Sequence, residues 1–183
     1  MIPLRGGSKS IPLKNIKNID GKPLCAWILE AACEALGPSN VYVSTESEEI
    51  AGVVNNLNPG VRIIKRPDEL ATDTASTDSV MLHFAEEVKF NTLITLQATS
   101  PLTTSGDIKN ALDFFHAGGY DSLVTGIRCK RFFWTPDGKP VNYDPLKRPL
   151  RQEMDGWIME NGAFYITKHS ILQKHKCRLG GKI

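Results

Sequence analysis

The sequence predicts an α/β fold, with a mainly parallel sheet covered by helices. Three observations support this class. Strand-like and helix-like segments alternate along most of the chain, as they do in layered α/β proteins. The 183 residues suit one domain with a substantial core. The composition, 41% hydrophobic and 23% charged, is ordinary for a globular protein, and a net charge of +2 is too small to indicate a nucleic-acid or membrane partner.

Hydrophobic periodicity locates the elements. Between residues 23 and 36, apolar residues recur at i, i+3, i+4, i+7 and i+11 on one helical face, with Pro23 expected in the first turn and Gly37-Pro38 after the end. Similar patterns predict further helices at 47–57, 78–88, from Ser105 or Gly106 to 117, and a terminal helix around 169–175. Strands are predicted at 1–4, 41–44, 61–64, 92–96, 122–127 and 157–167, and the strand at 41–44 is expected to be buried.

The alternation is interrupted after Lys130. Pro136-Asp137-Gly138 is a turn signal that could close a small hairpin, and Arg148 to Arg151 is extended and basic. No linker or repeat divides the chain, so we expect a single domain over residues 1–183, with an excursion at about 130–156. The aromatic run 132–134 is more typical of a core or an interface than of base stacking.

The loop Arg5-Gly6-Gly7-Ser8-Lys9, followed by Lys14-Asn15, has the chemistry that a triphosphate needs. Glycines allow the backbone to approach closely, a hydroxyl and N–H groups donate hydrogen bonds, and the cations offset the negative charge. The spacing matches neither the Walker loop nor the dinucleotide-binding motif. A polar turn with solvated lysines would have a similar composition.

Five blocks spread over the chain together resemble the acylneuraminate cytidylyltransferase (CMP-sialic acid synthetase) family, with an animal-like stretch at 147–162. The blocks are residues 5–15, 66–73, 97–102, 148–152 and 160–165. The resemblance runs from about Ile2 to Lys182. It implies a three-layer sandwich like that of nucleotide-diphospho-sugar transferases, with a small dimerisation arm. It also implies transfer of CMP from CTP to a sialic acid, with release of pyrophosphate.

The resemblance implies roles for individual residues. Nucleotide-binding residues would be Arg5, Gly6, Gly7, Ser8, Lys9, Lys14, Asn15, Arg66 and Ser76. Sugar-binding residues would be Gln97, Thr99, Ser100, Lys130, Arg148, Arg151, Gln152 and Asn161. Catalytic residues would be Arg5, Lys9, Gln97 and Arg151.

Several of these residues have simpler alternative roles. Ser76 and Thr77 are both candidates to contact the cytosine edge, but either could instead cap the helix that follows. Gln97 could merely end a strand, although the carboxyl ends of strands are where α/β sheets place ligands. The Arg148/Arg151 cluster could be a solvated basic turn or a weak nuclear-import patch.

The resemblance implies Mg²⁺ as cofactor and a homodimer or higher homo-oligomer, with CTP and a sialic acid as substrates. The acidic pair that holds the metal in the family has no counterpart after Asn161, so the metal ligands are unknown. Either the chain is truncated, which we favour, or acids such as Asp121 and Asp155 substitute. The alternatives are a cytidylyltransferase for a related 3-deoxy-ulosonic acid, and a CTP-binding chain without turnover.

Cysteine spacing and the absence of leader or membrane-span patterns predict an intracellular protein with reduced thiols, cytoplasmic or, in an animal-type protein, nuclear.

Overall fold

The computed structural model describes residues 1–8 and 11–183. The chain divides into two compact units, one of residues 1–124 with 162–183 and the other of residues 125–161. The helices are α1 (Leu24–Leu36), α2 (Glu48–Leu57), α3 (Thr77–Glu87), α4 (Ser105–Ala117) and α5 (His169–His175). The strands are β1 (Ile2–Pro3), β2 (Asn18–Ile19), β3 (Lys22–Pro23), β4 (Tyr42–Thr45), β5 (Arg62–Lys65), β6 (Thr92–Leu96), β7 (Ser122–Cys129) and β8 (Trp157–Lys168).

The sheet of the first unit is parallel where the candidate ligand loops leave it. Strand β4 pairs in parallel with β1 on one side and β5 on the other. The Met1 N–H group donates to the Ile94 carbonyl, and the Leu96 N–H donates to the Met1 carbonyl, which is the pattern of a parallel β1–β6 pair. The carboxyl ends of β1, β4, β5 and β6 therefore meet at one edge of the sheet.

Apolar side chains from both faces of this sheet form the core. Strand residues Ile2, Val43 and Leu96 pack in one buried cluster with Ile28 of α1 and Phe115 of α4. A second cluster joins α3, α5 and the start of the chain. Each fully buried side chain of this size contributes about 1.5–3 kcal/mol to folding, so this burial holds the strand ends in place.

The α/β class and the elements predicted above are confirmed, with small changes at their boundaries. Pro23 was expected in the first turn of α1, but it precedes the helix and pairs with Asn18 in the β2–β3 hairpin. The sequence analysis missed this hairpin. Its two turn residues, Asp20 and Gly21, have φ angles of +51° and +87°, and an Asp-Gly pair is a recognised hairpin signal. Strand β8 is antiparallel to β6.

The second unit contains the predicted small hairpin. Trp134 and Pro140 form an antiparallel bridge around the 136–138 turn, and the Thr135 N–H donates to the Lys139 carbonyl at 2.8 Å. The rings of Phe132 and Tyr143 lie 4.2 Å apart. The aromatic run thus contributes to a small cluster within this unit.

Among the described residues, no helix has both the length and the apolar character needed to cross a bilayer.

Candidate functional site

A cavity of about 270 Å³ opens at the edge of the sheet where β1, β5 and β6 end. Three cationic side chains and several hydroxyls face it, together with main chain from the loop after β1. Its walls are formed by Pro3, Arg5, Gly7, Ser8, Lys14, Asn15, Arg66, Leu70, Thr72, Asp73, Ala75, Ser76, Thr77, Val80, Gln97, Ala98 and Thr99.

Arg5 leaves β1 and crosses to the opposite wall of the cavity. Its Nη1 lies 2.9 Å from Asp73 Oδ1 and donates to the Thr72 carbonyl at 3.0 Å. Both side chains of this ion pair are more than a third exposed, so solvent screens the attraction and the pair is worth at most about 1 kcal/mol. An anion entering the cavity can therefore compete for Arg5 at little cost.

Asn15 fixes the main chain of the same loop. Its side chain is buried and Nδ2 donates to the Arg5 carbonyl at 2.9 Å. Asn15 lies in a short 3-10 helix, Lys14–Ile16, which begins after Leu13. Leu13 has a φ of +48°, a left-handed conformation that costs a non-glycine residue of order 1 kcal/mol and is concentrated at functional sites. This backbone geometry brings Lys14 to the wall of the cavity.

Arg66 is a buried cation at the end of β5. Its side chain is 4% exposed, and Nε and Nη2 donate to the Ser44 hydroxyl and carbonyl at 3.1 and 2.6 Å. Burial lowers the pKa of Arg66 below its usual range, the neighbouring Glu46 carboxylate opposes this shift, and Arg5 adds to it. The guanidinium is held rigidly by Ser44, so it presents a preorganised positive charge to the cavity.

The N-terminus of α3 forms another part of the wall. Ser76 caps the helix, because its Oγ accepts a hydrogen bond from the Ser79 N–H at 3.0 Å. Of the two hydroxyl residues considered as helix caps, Ser76 and Thr77, the structure therefore assigns this role to Ser76. Both residues also line the cavity. The next residue, Asp78, binds the main chain and guanidinium of Arg178 and so anchors this helix end.

Gln97 directly follows β6 and is partly buried at the cavity wall. Its N–H donates to the Ala163 carbonyl at 2.9 Å, and its carbonyl accepts from the Ser100 N–H at 3.0 Å. These contacts fix the main chain of a tight turn. Gln97 and Thr99 both line the cavity.

The structure gathers most of the predicted nucleotide-binding residues around one cavity. Predicted residues that line it are Arg5, Gly7, Ser8, Lys14, Asn15, Arg66, Ser76, Gln97 and Thr99. Gly6 and Ser100 are not among the lining residues. The Gly6 N–H instead donates a hydrogen bond to Glu46 Oε1 at 2.5 Å. Lys9 lies outside the described residues.

The remaining predicted sugar-binding residues, Lys130, Arg148, Arg151, Gln152 and Asn161, belong to the second unit. Within that unit, the Arg148 guanidinium lies over the Phe132 ring, 4.2 Å from its centroid. Arg151 begins a short 3-10 helix. Asn161 Oδ1 accepts from the Thr125 hydroxyl at 2.7 Å.

Glu46 was missed by the sequence analysis, and Asp73 was not assigned its contact with Arg5. Glu46 directly follows β4, and a polar residue at the carboxyl end of a parallel strand is a signal that could have identified it. The partnership of Asp73 with Arg5 joins residues 68 positions apart, which no local pattern reveals.

The described residues do not fit as a protein-held magnesium site. They contain no group of three or more His, Cys, Asp or Glu side chains arranged to hold a metal ion. Asp73 is the one carboxylate on the described cavity wall, and it is paired with Arg5. Magnesium usually needs one or two carboxylates together with substrate phosphates.

Comparison with known proteins identifies the family to which the chain belongs. The family model described as cytidylyltransferase matches residues 1–178. The chain is 35% identical to N-acylneuraminate cytidylyltransferase A of Danio rerio over 190 residues, and 35% identical to N-acylneuraminate cytidylyltransferase of Oncorhynchus mykiss over 182 residues. These alignments cover 100% and 95% of this chain but 44% and 42% of the relatives, so the chain spans less than half of their length.

The fold is also that of a solved CMP:2-keto-3-deoxy-manno-octonic acid synthetase complexed with CTP. The TM-score is 0.71 at 19% identity, over 100% of this chain and 78% of that one. A 4-diphosphocytidyl-2C-methyl-D-erythritol synthase from Anaerococcus prevotii has a TM-score of 0.65 at 6% identity, over 96% of this chain and 72% of that one. At such identities the likeness concerns the fold alone. Because the cytidylyltransferase family model matches residues 1–178 of the 183 residues, the chain belongs to the cytidylyltransferase family.

Proposed function

We propose that the chain binds CTP in the cavity at the edge of the sheet and takes part in joining CMP to a sialic acid, an N-acylneuraminate, with release of pyrophosphate. The observation that carries this proposal is the convergence of Arg5, Lys14 and Arg66 with the Gly7-Ser8 backbone on one cavity. Two of these cations, Arg5 and Lys14, and a closely approachable main chain suit a triphosphate, and Arg66 adds positive charge for the base and ribose end of the nucleotide. The similarity to N-acylneuraminate cytidylyltransferases supports the choice of nucleotide and sugar.

In this proposal, the residues act by position and charge. Arg5, Lys14 and Lys9 offset the phosphate charge, while Gly7 and Ser8 donate hydrogen bonds. Arg66, Asn15 and Ser76 contact the base or ribose, and Gln97, Thr99 and Ser100 contact the sugar hydroxyls. The anomeric hydroxyl oxygen forms a bond to the α-phosphorus in line, as the bond to the departing pyrophosphate breaks. Positive charge stabilises the transition state.

We propose that the second unit is a dimerisation arm, and that its basic residues contact the sugar carboxylate and the pyrophosphate. Arg148 and Arg151 are exposed, and a guanidinium group can bind a carboxylate or phosphate bidentately. Lys130, Gln152 and Asn161 belong to the same unit. Leu146 and Leu150 are 93% and 58% exposed, an apolar surface of the kind that association buries. A homodimer or higher homo-oligomer follows from this proposal.

Mg²⁺ is proposed to accompany CTP into the reaction as part of the nucleotide substrate. The described residues offer no complete ligand set, so every step above is assigned to the side chains alone. An intracellular location, cytoplasmic or nuclear, is proposed from the four free cysteines.

Two alternatives also place CTP in this cavity, but they differ in the sugar substrate or in whether the reaction takes place. The first alternative is a 3-deoxy-ulosonic acid as the sugar substrate in place of a sialic acid. The second alternative is CTP binding without turnover, which the pyrophosphate-release assay below tests.

Calorimetry with CTP, ATP, GTP and UTP tests the nucleotide, and we expect measurable binding of CTP only. A pyrophosphate-release assay with CTP, Mg²⁺ and either N-acetylneuraminic acid or a 3-deoxy-octulosonic acid then separates the alternatives. Equal affinity for all four nucleotides would contradict the proposal. Lys9→Ala should weaken CTP binding, whereas Lys17→Ala, a nearby exposed lysine that is not on the cavity wall, should not.

A further inference from the structure

The carboxylate of Glu46 lies behind the loop that follows β1, away from the cavity wall. Its Oε1 accepts the Gly6 N–H at 2.5 Å, which joins the ends of β1 and β4. Gly6 is held closely here, because a Cβ atom on it would lie only 3.2 Å from Glu46 Oε1 and 3.2 Å from Ser47 Cβ. Ser47 in turn caps α2 through the Ile50 N–H. The position of the loop is therefore set by contacts with Glu46 and the start of α2.

The second carboxylate oxygen has an unusual environment. Glu46 Oε2 is buried and accepts no hydrogen bond from the part of the chain that the structure describes. A buried carboxylate oxygen without a donor is unfavourable unless nearby charge compensates, and such groups are concentrated where function requires them. Arg66 is buried nearby and bound to Ser44, and attraction to the Glu46 carboxylate opposes the lowering of the Arg66 pKa by burial, so the two charges interact.

We propose that Glu46 is a positioning residue, which holds the Gly6 N–H and attracts the buried Arg66 guanidinium, and so presets the loop 5–8 for the nucleotide phosphates. The inference rests on the proposed CTP-binding function of the cavity. Glu46 itself does not contact the nucleotide. Its effect passes through Gly6 to the adjoining Gly7 and Ser8, and through electrostatic attraction to Arg66.

The first test needs no nucleotide. Amide hydrogen exchange and the ¹H–¹⁵N spectrum of the full 183-residue chain report on the Gly6 N–H directly. We expect a slowly exchanging, downfield Gly6 amide in the unaltered chain and in Glu46→Gln, which retains an acceptor oxygen. Glu46→Ala should lose both features. A Gly6 amide unchanged in Glu46→Ala would overturn the inference.

The second test compares ligands with different numbers of phosphates. Glu46→Ala should weaken CTP binding by about tenfold or more, the usual effect of losing a hydrogen bond to a charged group, and CMP binding by less. The CTP affinity of Glu46→Gln should lie between that of the unaltered chain and that of Glu46→Ala, because Gln keeps the Gly6 contact but removes the charge that attracts Arg66. Glu49→Gln removes an exposed acid from the first turn of α2 and serves as the matched control, with unchanged affinities.

The outcomes separate the inference from the function on which it rests. An equal loss for CTP and CMP, or no loss for either, would overturn the positioning role. If the unaltered chain binds no CTP, the proposed function fails, and the Gly6 amide still decides whether Glu46 holds the loop. If Glu46→Ala does not fold, Glu46→Gln and Glu46→Asp carry the same comparison of CTP with CMP.

Discussion

Arg5 and Asp73 join the two loops that face each other across the cavity, with Nη1 of the arginine 2.9 Å from Oδ1 of the aspartate. One loop follows β1 and the other precedes α3. The ion pair is exposed enough for water to compete, so it orients Arg5 without holding it tightly. Such a contact is suited to a cation that exchanges a protein carboxylate for a ligand phosphate.

Substitutions of this pair should separate stability from binding. Asp73→Asn and Arg5→Ala are each expected to change the free energy of unfolding by less than about 1 kcal/mol, because the pair is solvent-screened. Arg5→Ala should nevertheless weaken CTP binding by about tenfold or more, since a charge-assisted contact to phosphate is lost. Urea denaturation and calorimetry provide the two measurements. A large loss of stability with unchanged CTP affinity would reverse the assignment.

The two neighbouring glycines of the loop should respond differently to a methyl group. In Gly6→Ala the new Cβ would meet Glu46 and Ser47 at 3.2 Å, and we expect a destabilisation of about 1–3 kcal/mol from overpacking. In Gly7→Ala the nearest atom is the Ala71 carbonyl oxygen at 3.9 Å, an ordinary contact. That substitution should be neutral or stabilising by up to about 1 kcal/mol. Thermal unfolding of the two ligand-free variants measures both changes in stability. Equal shifts in Tm would show that Gly6 is not confined.

The clamp between Asp78 and Arg178 should be a strong polar contact in the first unit. The Arg178 N–H, Nε and Nη2 donate to the two Asp78 oxygens at 2.9–3.0 Å, and the side chains are only 21% and 23% exposed. Asp78→Asn is expected to cost about 1.5–3 kcal/mol, as for hydrogen bonds to charged groups.

A double-mutant cycle of Asp78→Asn with Arg178→Met, followed by urea denaturation, measures the coupling between the two side chains. The exposed Lys65–Glu48 pair, at 3.6 Å, is the matched control and should couple by less than about 0.5 kcal/mol. Equal coupling in both pairs would refute the clamp.

Acid should weaken the start of α4 in a defined direction. The N–H and hydroxyl of Thr104 donate to Asp107 Oδ2 at 2.9 and 2.7 Å, and these bonds lower the pKa of Asp107 below 3.8. Because the folded pKa is depressed, the contribution is complete above about pH 5 and is lost as the pH falls through the folded pKa.

The unfolding free energy of the unaltered chain should therefore exceed that of Asp107→Asn at neutral pH, and the difference should shrink below about pH 4. Urea denaturation across this pH range measures it. Asp113→Asn, on the exposed surface of the same helix, controls for the change in net charge. A difference that grows on acidification would contradict the assignment.

Much of the fold could be predicted because its signals are local. The 3.6-residue periodicity of α1 and the apolar run of β6 identify these elements from a short window of sequence. The β2–β3 hairpin was missed because its strands have two residues each, too short for any periodicity, although Asp20-Gly21 marks the turn. The antiparallel direction of β8 was not predicted either, because periodicity carries no information on strand direction.

The candidate site divides in the same way. Residue type indicated Arg5 and Lys14 as candidates for binding a triphosphate, because cations beside paired glycines have recognisable chemistry. Arg66 and Gln97 became candidates through the resemblance of their sequence blocks to the cytidylyltransferase family. Only the tertiary structure decided that these four line one cavity. The Gly6–Glu46 and Arg5–Asp73 contacts span 40 and 68 positions along the chain. Such contacts depend on parallel strands whose carboxyl ends meet at one edge, and packing of the whole core establishes that arrangement.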